Sequence, residues 1–268
     1  MSAVFSLDTI ERYSIEHDLD GPRIRLGFVW FVAVFASMLL GTVAVAVLFG
    51  LVAGAAGLQT AAAWRSHRVR VNQALAGVGP VAVTLGAALS ARLGGVLLIM
   101  FALAAVAFGP DFSIDPALLE PARRQRQLAV AAATLRAGLF PAIAATAVVL
   151  VHDVDTMAMA MLVALVCVYD CGDYLCGAGY QSRVVGPLSG IAGIVVVTLT
   201  MTQINPVPAE SDVAVFAIGV LAAVLCPAGQ LFASWLLPEP RSASPALRRL
   251  DSWLLVAPMF LVLAWLLG

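Results

Sequence analysis

The run "LGFVWFVAVFASMLLGTVAVAVLFGLVAGAAGLQTAAAW", Leu26 to Trp64, contains no charged side chain. A helix needs about 20 apolar residues to cross the hydrocarbon core of a bilayer, so this run reads as two spans back to back. The rest of the chain continues in the same way. Of its 268 residues 62% are hydrophobic and 12% charged, far from the balance of a soluble globular domain. The expected fold is an all-α integral membrane protein, a polytopic bundle of about nine transmembrane helices and not an anchored soluble enzyme.

Windows with little or no charge fall near 26–43, 45–64, 72–90, 93–109, 127–151, 155–174, 184–204, 213–237 and 252–268. The chain then divides into residues 1–25, an N-terminal segment with a possible surface helix, and residues 26–268, a single transmembrane domain. The first segment holds Asp8, Glu11, Glu16, Asp18 and Asp20, where a signal peptide would open on basic residues, so no cleavage is expected. Ser6 is a candidate helix cap there, with Leu7, Ile10 and Tyr13 at three-residue spacing.

All 15 basic residues are arginine, and their distribution tests the span count. With nine spans, Arg12, Arg23, Arg25, Arg65, Arg68, Arg70, Arg123, Arg124, Arg126, Arg183, Arg241, Arg248 and Arg249 share one side. Arg92 alone lies opposite, and Arg136 lies within a span. The positive-inside rule makes the crowded side cytoplasmic, with the N-terminus inside and the C-terminus outside. The opposite loops "HDVD" at 152–155 and "NPVPAESD" at 205–212 carry acid and no arginine, as that assignment requires. The expected location is the cell's inner (plasma) membrane, crossed several times. The loop "PDFSIDPALLEPARRQRQ" at 110–127 ends in basic residues suited to lipid phosphates, although topology alone accounts for them.

A net charge of −1 excludes the basic balance of a nucleic-acid binder. Cys167, Cys171, Cys176 and Cys226 form no C-x-x-C pair, and His17, His67 and His152 have no partners at ligand spacing. Arg136, ten residues into its span, calls for a buried partner such as a carboxylate or a backbone carbonyl.

Within the oily background, "YDCGDYLCGAGY" at 169–180 places Asp170 and Asp173 three residues apart, on one helix face. A helix starting at Asp155 and rising about 1.5 Å per residue puts Asp170 roughly 22 Å along a core of about 30 Å. A carboxylate at that depth costs on the order of 2.5 kcal/mol or less and normally faces a cavity, a partner charge or an ion. Two carboxylates at this spacing suit a divalent ion that also binds phosphates. Gly172, Gly177 and Gly179 leave room for a close approach of another backbone or a headgroup. The plainer alternative is a wet helix end with small packing residues.

The segment "YDCGDYLCGAG" resembles the aspartate, tyrosine and glycine run of the phosphatidate cytidylyltransferases, also called CDP-diacylglycerol synthases. "GQLFASWLLPEP" at 229–240 and "RRLDSWLLVAPMFLVLAWLL" at 248–267 resemble the terminal signature of that family, and "RIRLGFVWFVAV" and "AGAAGLQTAAAWR" its first spans. The resemblance implies transfer of a cytidylyl group from CTP to phosphatidate, with magnesium as cofactor. Asp170, Asp173 and Asp251 match the catalytic and metal-holding acids, and Ser234 the terminal serine. Arg183, Arg241, Arg248 and Arg249 are the candidate phosphate or lipid ligands. The chain also departs from the family. Leu237 and Pro238 stand at a basic pair, Arg248 at an aspartate and Gln230 at another aspartate. "GPLSGIAG" at 186–193 lacks the lysines, threonine and glutamate of the family motif. Cations near developing phosphate charge contribute several kcal/mol to such transfers, and here only arginine can supply them.

The expected function is therefore that of a divergent, catalytically degenerate relative, a pseudoenzyme that binds phospholipid. Its protein partner would be a second copy or another membrane protein. The alternative is an active, magnesium-dependent enzyme using CTP. A transporter reading would rest on Arg136 and the Pro141 break alone.

Overall fold

The computed structural model describes residues 22–108, 121–177, 184–204, 211–239 and 242–267, with backbone alone at 22–26, 121–124 and 267. The described residues form α1 (Pro22–Leu40), α2 (Thr42–Ser66), α3 (Gln73–Leu89), α4 (Ala91–Ala107), α5 (Pro121–Val154), α6 (Thr156–Gly177), α7 (Val185–Met201), α8 (Asp212–Leu236), α9 (Pro245–Leu250) and α10 (Trp253–Leu267). No strand occurs among them. Each of the nine apolar windows coincides with one long helix, and the short α9 lies between two of them.

Among the described residues five helical stretches are long and apolar enough to cross a membrane: Thr42–Ser66, Gln125–Val154, Thr156–Gly177, Asp212–Leu236 and Pro245–Leu266. The other apolar helices, Gly27–Leu40, Gln73–Leu89, Ala91–Ala107 and Val185–Met201, are shorter. The outer faces remain apolar. Phe28, Leu40, Ile99, Val196 and Trp265 are all exposed, a surface suited to lipid and not to water.

The helix boundaries follow local chemistry. Asn72, Ser90 and Ser211 each accept a hydrogen bond from a first-turn backbone N–H of α3, α4 and α8, at 3.1, 3.1 and 3.3 Å. Asp155 does the same for α6, taking the N–H groups of Met157 and Ala158 at 2.6 and 3.0 Å. Between α1 and α2 the single residue Gly41 has φ +100°, a conformation that strains any residue with a side chain. The segment 121–127, expected as loop, is instead the start of α5. Pro121 opens that helix, where its missing N–H leaves nothing unpaired.

The core lies where α2, α5, α6 and α10 meet. Phe49 packs edge-on against Trp253 at 5.2 Å and against Trp30 at 5.5 Å, among the buried Met159, Leu162 and Leu165. Elsewhere small residues draw backbones together. A Cβ on Gly57 of α2 would strike the Ala76 carbonyl of α3, and one on Gly172 of α6 would lie 2.8 Å from Gly190 Cα of α7. Such contacts drive association where both helices already lie in an apolar medium.

Arg136 finds the backbone carbonyl expected for it, but no carboxylate is needed. Its Nη2 donates to Trp235 O, and its guanidinium lies 4.7 Å from the Trp64 ring and 4.2 Å from the Trp235 ring. Trp64 Nε1 in turn donates to Leu236 O at 2.8 Å. Both carbonyls belong to the last turn of α8, where no intrahelical donor exists, and a cation is favoured at that end of the dipole. The Arg136 stem thus runs to the ends of α2 and α8 while its Cα stays within α5. At the far end of α5, His152 lies 3.0 Å from Thr42 Oγ1 and 3.1 Å from Met38 O, tying α1 and α2 to it.

Candidate functional site

The last turns of α6 carry Tyr169, Asp170 and Asp173 to the same end of the bundle where α2 and α8 finish. Two glycines of α7 permit it. A Cβ on Gly190 would sit 2.6 Å from the Tyr169 ring, and one on Gly186 would sit 2.5 Å from Asp173 Oδ1. Asp173 is thereby pressed against the first turn of α7, the positive end of that helix.

The other wall comes from α8, whose Gln230 and Ser234 share a face at four-residue spacing. Gln230 Nε2 donates to Asp173 Oδ2 at 3.0 Å, and Gln230 Oε1 accepts from Tyr169 OH at 3.3 Å. Ser234 Oγ donates to Gln230 O at 3.2 Å, and Arg248 Nη1 of α9 donates to Ser234 Oγ at 2.9 Å. A second set lies beside this one. Ser252 Oγ donates to Asp170 Oδ1 at 2.5 Å, and Ser252 N donates to Asp251 Oδ1 at 2.8 Å. Gly229 brings the two sets together, because its missing Cβ makes room for the Asp251 carbonyl.

The cluster is mostly dry. Gln230 and Ser234 are each 2% exposed, Asp251 3% and Ser252 0%, while Asp170 and Asp173 are half-buried. Buried polar groups must find partners or cost free energy, and these have found one another.

Of the residues expected at the site, Asp170, Asp173, Asp251, Ser234 and Arg248 are drawn into this cluster. Arg249 reaches α1, its Nη1 3.5 Å from where a Cβ of Gly27 would be. Arg183 and Arg241 lie outside the described residues, as do the N-terminal helix expected from Ser6 and residues 110–120 of the loop expected at 110–127. Tyr169 and Ser252 were not anticipated, and Gln230 figured only as a departure. The four-residue spacing of Gln230 and Ser234 was the available signal.

A magnesium ion would draw its protein ligands from these carboxylates. Among the described residues no group of three or more His, Cys, Asp and Glu side chains is placed to hold a metal. Asp173 accepts from an amide, Asp170 from a hydroxyl and Asp251 from a backbone N–H. As arranged, they do not fit one ion held in common.

The chain matches no family model, no curated protein and no solved structure.

Proposed function

We propose that this chain is a non-catalytic relative of the phosphatidate cytidylyltransferases, a multi-pass membrane protein that binds a phospholipid headgroup or a membrane protein partner without turning over CTP. In this reading all nine long helices cross the plasma membrane, the four shorter ones with little length to spare. The end bearing Arg65, Arg68, Arg70, Arg126, Arg248 and Arg249 faces the cytoplasm, by the positive-inside rule.

One observation carries the proposal. The acids that would have to hold a metal and nucleotide phosphates are instead engaged by Gln230, Ser252 and the Ser252 backbone. Phosphoryl transfer depends on charged groups preorganised toward the reacting phosphates, and a cluster that satisfies itself offers few of them. Side-chain hydrogen bonds join α6, α8, α9 and the residues that lead into α10 at this end of the bundle, which suits a binding surface.

A second reading, an active magnesium-dependent enzyme, draws support from the convergence of Asp170, Asp173, Asp251, Ser234 and Arg248 at one place. The test is CTP-dependent pyrophosphate release by purified protein in detergent, with phosphatidate and magnesium, beside Asp170→Asn and a full-motif family enzyme. No release while the control enzyme is active is the expected outcome. Turnover that disappears in Asp170→Asn establishes the second reading instead.

A further inference from the structure

The helices of this bundle differ widely in length. α2, α5, α6 and α8 run for 25, 34, 22 and 25 residues, whereas α3, α4 and α7 each run for 17. At about 1.5 Å per residue the three short helices reach about 26 Å, which is about 4 Å less than a hydrocarbon core of about 30 Å.

Polar groups fix both ends of the α3–α4 pair. Ser90 closes α3 by donating its N–H to Gly86 O at 3.1 Å, and it opens α4 by accepting the Leu93 N–H at 3.1 Å. At the other end Asn72 caps α3 and its Nδ2 donates to Phe108 O at 3.0 Å, so α4 stops level with the start of α3. Two of the short helices lie on the flanks. α4 packs chiefly on α3 and α5 and exposes Val96, Ile99 and Leu103, while α7 packs chiefly on α6 and α8 and exposes Val195, Val196 and Leu199.

We propose that α4 and α7 are thin flanks, at which the protein takes a bilayer of reduced thickness made of lipids with short acyl chains. The inference rests on the reading in which all nine long helices cross the membrane, and it adds the lipid that the flanks select. A helix shorter than the bilayer is accommodated by thinning, by snorkelling of flanking side chains or by oligomerising. Beside Ser90 only Arg92 is long enough to snorkel, and it carries a charge out of the core without adding apolar length. Tilt only reduces the thickness that a helix spans. Thinning remains, and its cost falls as the acyl chains shorten.

The experiment reads the lipid beside each flank. In the full chain, with Cys167, Cys171 and Cys176 replaced by alanine and the buried Cys226 retained, Ile99→Cys, Val196→Cys or Val224→Cys carries a fluorophore quenched by nitroxide-labelled phosphatidylcholine. Val224 is exposed midway along the 25-residue α8 and is the matched position. Unlabelled monounsaturated phosphatidylcholines with chains of fourteen to twenty-two carbons compete with the quencher. At positions 99 and 196 the fourteen-carbon lipid is expected to displace it at about half the concentration of the eighteen-carbon lipid or less, with no such preference at 224.

Equal competition at all three positions overturns the proposal, as does a preference for eighteen or more carbons at 99 and 196. A probe at either flank that no lipid quenches overturns it too, because another protein surface then covers that helix. The crossing of α3 and α4 is read separately. Arg92→Cys in the same background is expected to react with a membrane-impermeant maleimide in right-side-out vesicles and not in inverted ones. The opposite pattern defeats the nine-span reading and the proposal with it, whereas the expected pattern without a chain-length preference leaves that reading standing and removes the thin flanks alone.

Discussion

Arg136 and Trp235 hold each other twice. The guanidinium lies 4.2 Å from the indole centroid while its Nη2 donates to the backbone carbonyl of the same tryptophan. One contact uses the face of the ring and the other the end of α8. The pair therefore fixes both the rotamer of Trp235 and the terminus of the helix that carries Gln230 and Ser234.

Replacing Arg136 separates charge from shape. Lysine keeps the charge, but it is a point cation that cannot lie flat between Trp64 and Trp235 while also bonding the carbonyl. Arg136→Lys is expected to destabilise by about 1–3 kcal/mol, the sum of weakened cation–π contacts and a poorer charged hydrogen bond. Thermal unfolding in detergent, followed by tryptophan fluorescence, measures it; a melting curve matching the wild type shows the clamp to be dispensable.

Two glycines give a matched comparison. A Cβ on Gly190 would meet the Tyr169 ring at 2.6 Å and the Tyr169 carbonyl at 2.7 Å, whereas one on Gly95 of α4 meets nothing within 4 Å. Gly190→Ala is expected to cost about 1–3 kcal/mol through overpacking. Gly95→Ala is expected to stabilise by about 0.5–1 kcal/mol through helix propensity. Equal effects at the two sites would mean that α6 and α7 do not approach so closely.

Trp253 fills the core against Phe49, 0% exposed, yet its indole N–H has no hydrogen-bond partner among the described residues. Trp253→Ala is expected to cost about 3–5 kcal/mol as a cavity opens. Trp253→Phe should cost much less, because it keeps an aromatic edge against Phe49 and removes the unpaired donor. Unfolding of both variants in detergent tests the order, and a Phe variant as unstable as the Ala variant contradicts it.

Orientation can be read from Cys176, exposed at the arginine-rich end of α6. In a variant retaining Cys176 as its one cysteine, a membrane-impermeant maleimide is expected to label inverted vesicles and spare right-side-out ones. The opposite pattern reverses the cytoplasmic assignment.

Composition and charge spacing were enough to locate the helices, because a segment in an apolar medium has no choice but to satisfy its own backbone. Each window of little or no charge coincides with a long helix. The start of α5 at Pro121 was read as loop because arginines there masked the helical continuation. Among the described residues, Arg65, Arg68 and Arg70 lie at or just after the end of α2, Arg126 in the first turns of α5 and Arg248 and Arg249 in the short α9, whereas Arg92 lies in the first turn of α4.

The site was legible only as a set of suspects. Spacing along α6 placed Asp170 and Asp173 on one face, but whether two acids serve an ion, a substrate or a neighbour depends on what faces them from other helices. Gln230 and Ser252 lie 57 and 82 residues away from the acids they engage. Sequence by itself determined that this chain is a bundle of apolar helices with acids near one end. Only the tertiary structure decided that those acids are met by an amide, a hydroxyl and a backbone N–H, because buried hydrogen-bond partners are chosen by which helix faces meet.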